Sequence, residues 1–446
     1  MNKIYHKLKK EVIDSGLCTH CGTCAGLSNN KIEMKETDCG PLPIFLNDDG
    51  KVNELLYDAC PGKGFNYPLL SKNIFSSDVK DWRIGYFKNI YVGYSKNPSI
   101  RRNGASGGII TNILIYLLNE GLIDGAITVK QGASKPWLAE PIIATNEKEI
   151  LECAQSVYSP IPVNKIINKI IDFKGDLAFV GLPDHISSIR YLKSKNIEWT
   201  RKIKYILGPY VGTNLYTGAI KSFIRSHGYK DLVEIEKLKY RDGEWPGYLK
   251  INMKDKAVLK SEKFYYNYLI PFYVTKSSLL SVDFSNELAD ISVGDAWSPK
   301  YENLGEGYSV IVARSKIGSL LLTKMQRENI IELDKIKLSE ATSMHAHMID
   351  FKKRGAFIRF KFRKLFKKNI PDFGYRPDNI PFSRILIETF ISTIFFLCSL
   401  SLIRRLVVYI PIKIIGPFFN FLRIKWKSAS KTSKRKGLEK YSVKLN

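Results

Sequence analysis

Three cysteines crowd into one short stretch near the start of the chain. Cys18, Cys21 and Cys24 follow one another with two residues between neighbours, in the segment CTHCGTC. The chain has seven cysteines, an odd number, and this clustering favours metal binding in a reducing compartment over a framework of disulfides. A tight loop with this spacing supplies three thiolate ligands, so a fourth ligand has to come from another part of the chain.

The position of the fourth ligand follows from the spacing. A bacterial ferredoxin carries a Cys-Pro pair four residues after such a triplet, and here Ser28 and Asn29 stand there. In a two-cluster ferredoxin the fourth cysteine of each run binds the other cluster. The first cluster therefore needs a remote Cys-Pro pair, which Cys60 and Pro61 provide. The sequence predicts one [4Fe-4S] cluster held by Cys18, Cys21, Cys24 and Cys60.

Two alternatives remain for this site. A structural zinc ion also takes four cysteines, although zinc sites usually use two separated C-x2-C pairs. Cys39, which precedes Gly40 and Pro41, competes with Cys60 as the fourth ligand. Cys153 and Cys398 lie in a predicted helix and in an apolar segment, and we expect both to be buried, inert thiols.

Strands and helices alternate from residue 90 onward. NIYVGYSK, DGAITV, DLAFVG and KYILG read as strands, and HISSIRYLKSK reads as a helix. The spacing also predicts a helix from Ser106, as its N-cap, to Gly121, just past its end. This alternation indicates α/β layering. We predict a ferredoxin-like iron–sulfur module (1–75), a mixed α/β body in two parts (85–165 and 166–335) and a helical basic tail (350–446).

The segment GASGG, residues 104–108, opens the predicted helix. Small residues there let backbone N–H groups approach a phosphate, whose charge the helix dipole favours. Read alone, Gly-Gly before a helix is more often an ordinary turn. The candidate ligands of a phosphate-bearing cofactor are Arg101, Ser106, Gly107, Gly108, Thr111 and Asn112.

Two further strand ends carry candidate chemistry. Asp184 and His185 follow DLAFVG, where α/β folds place ligands; Asp184 is a candidate for acid–base catalysis or a helix cap, and His185 is expected at the surface. Asp295 and Trp297 follow another strand, and they suit hydrogen bonding to, and stacking on, a ring system. Packing explains Trp297 equally well.

The positive charge is concentrated in the tail. The whole chain has a formal net charge of +26, and residues 350–446 alone contain 23 Lys/Arg and 5 Asp/Glu. Two apolar stretches, 385–403 and 404–422, lie within this basic segment. We predict an in-plane or hairpin anchor on anionic cytoplasmic lipid, with a helical pair docked on the body as the alternative. Nucleic acid is excluded as a partner, since RNA would not bury long aliphatic runs. The N-terminus lacks a signal-peptide core, so we expect a cytoplasmic protein.

Several segments together resemble one family. They are CTHCGTCAG, CPG, GASGGIITNILIYLLNEGLIDGAI, SVYSP, GLPDHISSIRYL, YRDGEWPGYLKI and LADISVGDAWSP, spread over roughly residues 15–325. In this order they are similar to the beta subunits of deazaflavin (coenzyme F420) hydrogenases and dehydrogenases, which include relatives near surface-polysaccharide genes. The resemblance implies FAD beside a cubane cluster, so that the mixed α/β body would be a flavin-binding body with its flavin-binding region at 85–165. Hydride would pass between FAD and a soluble carrier, and single electrons would pass through the cluster to a redox partner protein.

The chain also departs from the family. Relatives carry cysteines at the positions of Asp184, Ser278 and Ser281, and near Tyr210. If those cysteines build a further cluster in relatives, this chain lacks it. The resemblance therefore implies an oxidoreductase acting on a deazaflavin or a surface-polysaccharide metabolite, with a non-catalytic assembly or electron-transfer subunit as the alternative.

Overall fold

A mixed sheet of eight strands runs through the body of the chain. The computed structural model describes residues 3–46, 53–262, 267–378, 380–430 and 443–445. The strands of these residues are β1 Ile32–Lys35, β2 Leu42–Phe45, β3 Asn89–Ser95, β4 Gly125–Gln131, β5 Ala139–Ala144, β6 Leu177–Val180, β7 Ile203–Pro209, β8 Ile235–Asp242, β9 Tyr248–Met253, β10 Val258–Glu262, β11 Ile291–Asp295, β12 Ser309–Ala313, β13 Ile331–Lys335, β14 Tyr375–Pro377 and β15 Val443–Leu445.

The centre of the large sheet is parallel and its two sides are antiparallel. The strand order is β13-β3-β12-β11-β7-β6-β4-β5, with β4, β6, β7 and β11 parallel to one another. Ile127 faces Phe179 across the first parallel pair, and Val293 faces Pro209 across the last. The central strands are apolar along their length, as expected for parallel strands covered on both faces. Separately, β8, β9 and β10 form a three-stranded antiparallel sheet.

Helices cover both faces of the sheet. They are α1 Lys3–Leu8, α2 Thr23–Leu27, α3 Leu55–Asp58, α4 Tyr67–Phe75, α5 Pro98–Asn103, α6 Ile109–Asn119, α7 Glu147–Glu152, α8 Ile167–Asp172, α9 Pro183–Ser194, α10 Gly218–Arg225, α11 Ile270–Tyr273, α12 Lys276–Leu280, α13 Pro299–Glu302, α14 Lys316–Arg327, α15 Leu338–Met344, α16 Ala346–Asp350, α17 Ala356–Leu365, α18 Phe382–Ser399, α19 Ser401–Val407 and α20 Ile412–Ser430.

The two apolar cores lie on opposite faces of the sheet. Phe179 of β6 belongs to the core that also buries Ile186 of α9, whereas its neighbour Ala178 belongs to the core that buries Ile113 of α6 and Leu322 of α14. This division follows from the strand period, because successive side chains point to opposite faces. The predicted α/β layering is therefore confirmed.

The start of α6 differs from the prediction. The N-cap is Gly108 and not Ser106, because Ser106 shares a hydrogen bond with Ser309 Oγ at 2.7 Å instead of capping the helix. At the other end the prediction is close, since the helix ends at Asn119 and Gly121 adopts the left-handed φ of +63°.

The N-terminal segment contains several short helices. Short helices surround a β1–β2 hairpin, and Leu8, Val12 and Leu17 join the same core as α9. This segment is therefore packed directly on the sheet's covering helices.

The three C-terminal helices, α18 to α20, dock on the rest of the protein by one side each, and the first part of the predicted tail, through α17, is itself buried. On α18 the buried residues are Arg384, Glu388, Ile391 and Cys398. Arg384 Nε lies 2.8 Å from Asp350 Oδ2, and Glu388 pairs with Arg359. Phe382–Ser399 is the one helix in the described ranges with the length and composition to cross a membrane. The docked helices agree with the alternative given above, in which the apolar stretches form a helical pair packed on the body and not a membrane anchor. The basic end of the chain falls largely outside the described residues.

Candidate functional site

A large cavity lies at the carboxyl ends of the parallel strands. Its volume is about 1090 Å³, at or above the upper end of ordinary ligand pockets, which span roughly 300–1,000 Å³. The wall includes the ends of three adjacent strands, namely 180–182 after β6, 209–215 after β7 and 293–295 at β11. Open α/β sheets bind their ligands at this edge, and the space suits a dinucleotide.

One wall of the cavity is the glycine segment before α6. Gly108 has a φ of +72°, and a Cβ placed there would lie 2.8 Å from the carbonyl oxygen of Ile100. Only glycine fits this position. No side chain caps α6, so the N–H groups of Ile109, Ile110 and Thr111 point out of its first turn at the cavity. This combination suits an anion such as a phosphate.

The structure separates the predicted phosphate ligands into two groups. Ser106, Gly108 and Thr111 line the cavity. The other three, Arg101, Gly107 and Asn112, are absent from its wall. Arg101 and Asn112 donate to backbone carbonyls, and the Gly107 N–H donates to Ser309 Oγ. Arg101 donates to the Gly307 carbonyl and stacks on Tyr94, and Asn112 Nδ2 donates to Ser95 Oγ at 2.8 Å.

The opposite wall carries an ion pair and two tryptophans. Arg241 Nη1 lies 3.1 Å from both carboxylate oxygens of Asp295, and Trp245 Nε1 donates to the same carboxylate at 3.1 Å. The Trp245 and Trp297 rings lie 4.6 Å apart between centroids. His345 Nε2 donates to the Asp295 carbonyl at 2.7 Å. The Asp295 carboxylate thus holds Trp245, and the two indole rings, inclined by 41°, form an aromatic surface on the cavity wall.

Sequence reasoning identified Asp295 and Trp297 but missed their partners. Arg241 and Trp245 lie more than 45 residues earlier, in YRDGEWPG, and only the fold brings them together. The one available signal was the placement of that segment among those resembling the family. His345 had no signal at all.

His185 is buried, so the prediction of a surface position is wrong. Its Nδ1 accepts from the Leu182 N–H at 3.0 Å, which closes the first turn of α9, and its Nε2 lies 3.1 Å from the Ile161 carbonyl. Burial lowers the pKa of His185 to about 4, so the ring is neutral at pH 7. Nδ1 is therefore the acceptor and Nε2 the donor. The imidazole lines the cavity.

Asp184 does not cap α9 and does not line the cavity. Burial raises its pKa to about 6, while nearby Lys352 acts in the opposite direction. Lys352 is itself buried, which lowers its pKa to about 7, and its Nζ donates to the Ser278 carbonyl at 2.8 Å. Asp184 and Ser278, two positions at which the resemblance led us to expect cysteine, thus both lie beside one buried lysine.

The four predicted cluster ligands converge on a second, small void. Cys18, Cys21, Cys24 and Cys60 all line a space of about 20 Å³ together with apolar side chains such as Val12 and Met34. Burial, together with the charge of the Cys21 thiol, raises the pKa of Cys18 to about 12, and burial raises that of Cys60 still further. Four soft sulfur donors in an apolar setting are the donor set that iron–sulfur clusters use.

Convergence of the thiols is not a formed metal site. In the parts of the chain that the structure describes, no group of three or more His, Cys, Asp or Glu side chains is arranged to hold a metal ion. The residues present fit the cluster by donor type and by the void they share. Cys39 does not line the void and is exposed.

Residues around the triplet have local roles. Ser28, where a ferredoxin would carry cysteine, donates to the Ala25 carbonyl and accepts from the Ile32 N–H at 2.9 Å, and it thereby closes the end of α2. His20 is buried, with Nδ1 at 2.9 Å from the Pro41 carbonyl.

One side chain connects the cysteine void to the cavity. Asn164 Nδ2 donates to Thr23 Oγ1, on the void wall, at 2.9 Å and to the carbonyl of His185, on the cavity wall, at 3.1 Å. Asn164 is fully buried, and its N–H also donates to the Cys21 carbonyl at 2.8 Å. The two sites are therefore neighbours in the interior.

Comparison with known proteins agrees with the resemblance seen in the sequence. Residues 90–168 match the family model for the N-terminal part of the coenzyme F420 hydrogenase/dehydrogenase beta subunit, and residues 175–339 match the model for its C-terminal part. Together these ranges cover more than half of the chain.

Individual relatives are distant. The coenzyme F420-dependent sulfite reductase of Methanocaldococcus jannaschii is 25% identical over 353 residues, covering 75% of this chain and 50% of the relative. The chain thus spans about half the length of that protein. The coenzyme F420 hydrogenase subunit beta of Methanosarcina barkeri is 23% identical over 264 residues, covering 58% of this chain and 86% of the relative.

A solved structure shows the same fold. A chain of the F420-reducing [NiFe] hydrogenase complex from Methanosarcina barkeri aligns with a TM-score of 0.52 at 21% identity, covering 66% of this chain and 98% of that one. The relatives named above are F420-dependent oxidoreductases or subunits of them. The chain belongs to the coenzyme F420 hydrogenase/dehydrogenase beta subunit family.

Proposed function

We propose that the chain is an iron–sulfur flavoprotein that exchanges hydride with a soluble carrier through FAD and passes single electrons through one [4Fe-4S] cluster. The observation that carries this proposal is the Asn164 bridge, because it makes the cysteine void and the cavity neighbours. A flavin exchanges two electrons as hydride, whereas a cluster moves one at a time, so the pair needs close approach.

Each wall of the cavity suits one part of FAD. The N–H groups at the start of α6 would bind its pyrophosphate, and Gly108 lets the backbone come close. The Trp245–Trp297 surface would stack on a ring, held in place by Asp295 and Arg241. These assignments use the chain's own donors and surfaces.

The neutral His185 would act as a fixed dipole and not as a proton donor to the carrier. Both of its ring nitrogens already have backbone partners, and its lowered pKa keeps the ring uncharged. Asp184, proposed from the sequence as the catalytic acid–base residue, is better placed to balance the buried charge of Lys352 beside the cysteines, because it does not line the cavity.

The cluster would be held by Cys18, Cys21, Cys24 and Cys60. Burial raises the pKa values of these thiols and so makes their ionisation to thiolates unfavourable. Metal cations bound among the thiolates would offset this free-energy cost. The buried charges of Asp184 and Lys352, at or near positions where relatives carry cysteine, support a single cluster and no second one.

The hydride carrier is a deazaflavin of the F420 type, by analogy with the names of the relatives. A metabolite of surface-polysaccharide synthesis is a second candidate that the cavity volume also accommodates. The alternative class, a non-catalytic assembly or electron-transfer subunit, retains the cluster and lacks flavin. The partner that takes the electrons is a further redox protein.

We also propose that the protein works at the cytoplasmic face of the cell membrane, held there peripherally by its tail. Residues 350–446 carry 23 Lys/Arg against 5 Asp/Glu, and anionic lipid on that face attracts such segments.

Ligand replacement tests the cluster assignment. In anaerobically purified protein, Cys60→Ala is expected to lose most of the bound iron, because it removes one of four thiolates. Cys39→Ala is the matched control, because this cysteine is exposed and lies outside the void, and it should keep the iron. Loss of iron in Cys39→Ala with retention in Cys60→Ala would overturn the ligand set. Oxidation of reduced deazaflavin, followed at its visible absorption, tests the carrier with the same samples.

A further inference from the structure

We infer that the outward side of the three C-terminal helices is a docking surface that lies in the plane of an anionic lipid bilayer. This inference rests on the peripheral location proposed above and names the surface and its orientation. The C-terminal apolar face, as we call it, includes Phe390 and Phe396 on α18, Leu402 and Tyr409 on and after α19, and Phe418 and Phe421 on α20. Their side chains are exposed, up to 82% for Tyr409.

The polarity of α18 is inverted relative to a helix of a soluble protein. Such a helix normally turns its apolar stripe to the core and its charges to water. Here both charged residues, Arg384 and Glu388, are buried against the body. The exposed positions from Phe382 to Ser399 carry only phenylalanine, leucine, serine and threonine. Water is therefore a poor solvent for this side of the helix.

The three helices present their exposed sides away from one core. Cys398 of α18, Val407 of α19 and Ile415 of α20 are buried in the same apolar cluster, which also contains residues of α10 and β9. Because the inner sides share one core, the outer sides face away from it together. Large exposed apolar patches of this kind mark interaction surfaces.

The buried ion pairs decide between lying on the membrane and crossing it. Arg384 and Glu388 bind Asp350, at the end of α16, and Arg359 of α17, so one whole side of α18 is covered by protein. A helix that crosses a bilayer alone would have to bring these charges into the hydrocarbon. An in-plane position keeps them in the protein and places only the apolar side in lipid.

The positive charge of the C-terminal segment favours an anionic bilayer over a second copy of the chain as the partner of the C-terminal apolar face. Residues 350–446 carry 23 Lys/Arg and 5 Asp/Glu. Five of the basic and two of the acidic side chains are buried, which leaves 18 basic against 3 acidic residues. Exposed Arg405 and Lys425 stand beside the apolar side chains. A second copy of the chain would bring the same positive charge to the interface. An anionic headgroup layer complements the charge, and its acyl boundary accepts the phenylalanines.

This orientation ties the surface to the cavity. Arg423 of α20 lies on the cavity wall, while Phe421 and Ile424 beside it in sequence are exposed on the C-terminal apolar face. Docking would therefore hold one wall of the cavity at the lipid surface.

Vesicle flotation tests the inference with the full-length protein. We expect the protein to float with vesicles of phosphatidylglycerol and phosphatidylcholine at low salt, and much less with phosphatidylcholine alone or in 1 M salt. Phe396→Asp with Phe418→Asp should reduce the floated fraction by roughly tenfold or more. Leu320→Asp is the matched control, because Leu320 is an equally exposed apolar residue on a helix of the body, and it should float normally.

Several outcomes would overturn the inference. A native protein that stays at the bottom of the gradient with both kinds of vesicle refutes it. Equal flotation with neutral vesicles refutes the lipid chemistry. A native dimer that the double variant converts to a monomer, without flotation of either, assigns the face to a second copy. The salt dependence of the native protein tests the inference without any variant. Flavin and iron content of the same samples report separately on the proposed redox function.

Discussion

Glu388 provides the sharpest test of how the tail is held. Its carboxylate is fully buried and pairs with Arg359 and with Arg384, whose side chains are 7% and 4% exposed. Glu388→Gln keeps the shape and removes the charge. Arg384 retains Asp350 at 2.8 Å, but Arg359 loses its acidic partner and keeps only backbone carbonyls.

The cost should lie at the lower end of the range for breaking a buried ion pair, about 3 kcal/mol, because one of the two arginines keeps a carboxylate. The penalty falls on the docking of α18, so the helix should open locally more often. About 3 kcal/mol corresponds to roughly a 100-fold loss of amide protection. Hydrogen exchange with mass spectrometry over Phe382–Ser399 measures this directly.

Thr393→Ala is the control, because Thr393 is an exposed residue of the same helix and such changes usually stay within about 0.5 kcal/mol. Amide protection in Glu388→Gln equal to that of Thr393→Ala would refute the idea that the buried charges hold the helix. Loss of protection across the central sheet as well would mean that the tail and the body unfold together.

Two further substitutions test the cavity wall. Gly108→Ala should lower stability by about 1–2 kcal/mol from the positive φ alone, with a further cost because its Cβ would lie 2.8 Å from the Ile100 carbonyl, and it should reduce flavin retained after gel filtration. Gly121→Ala is the control, because Gly121 has a similar φ but open space around the Cβ, so this variant should suffer the same backbone strain and keep the flavin. Equal loss of flavin in both variants would contradict the proposed binding of the pyrophosphate beside Gly108. The neutral His185 has a pKa near 4 against 6.5 unfolded, so the unfolded chain binds the extra proton and stability falls as pH drops between these values. Wild type should lose about 3 kcal/mol more than His185→Gln between pH 7.5 and 4, measured by urea denaturation; parallel pH profiles would show that the buried ring is not the cause.

The central layers of the fold could be predicted because their signals are local. The strands around Phe179 and Val293 are short, continuous apolar runs. The glycines before α6 indicate a place where two backbone segments lie close together. The cluster ligands followed from spacing and from one rule of crossed ligation. Cys60, predicted from its Cys-Pro pair and 36 residues after Cys24, lines the same void as the triplet.

The sequence does not reveal which side chains contact each other when they lie far apart along the chain. Arg241 and His345 reach Asp295 from 54 and 50 residues away, and no local pattern marks either of them. His185 was expected at the surface, yet the turn before it and Ile161 enclose the ring. In the tail, the apolar run was evident, but which side the body covers depends on Asp350 and other distant partners.

The visible spectrum of the native protein, purified without oxygen, tests the central claim most directly. We predict flavin bands above a broad absorption that dithionite bleaches, with one flavin and about four iron atoms per chain. A colourless protein that contains zinc and no flavin would contradict both the cluster and the redox function. Cluster absorption without flavin would instead assign the chain to the non-catalytic class.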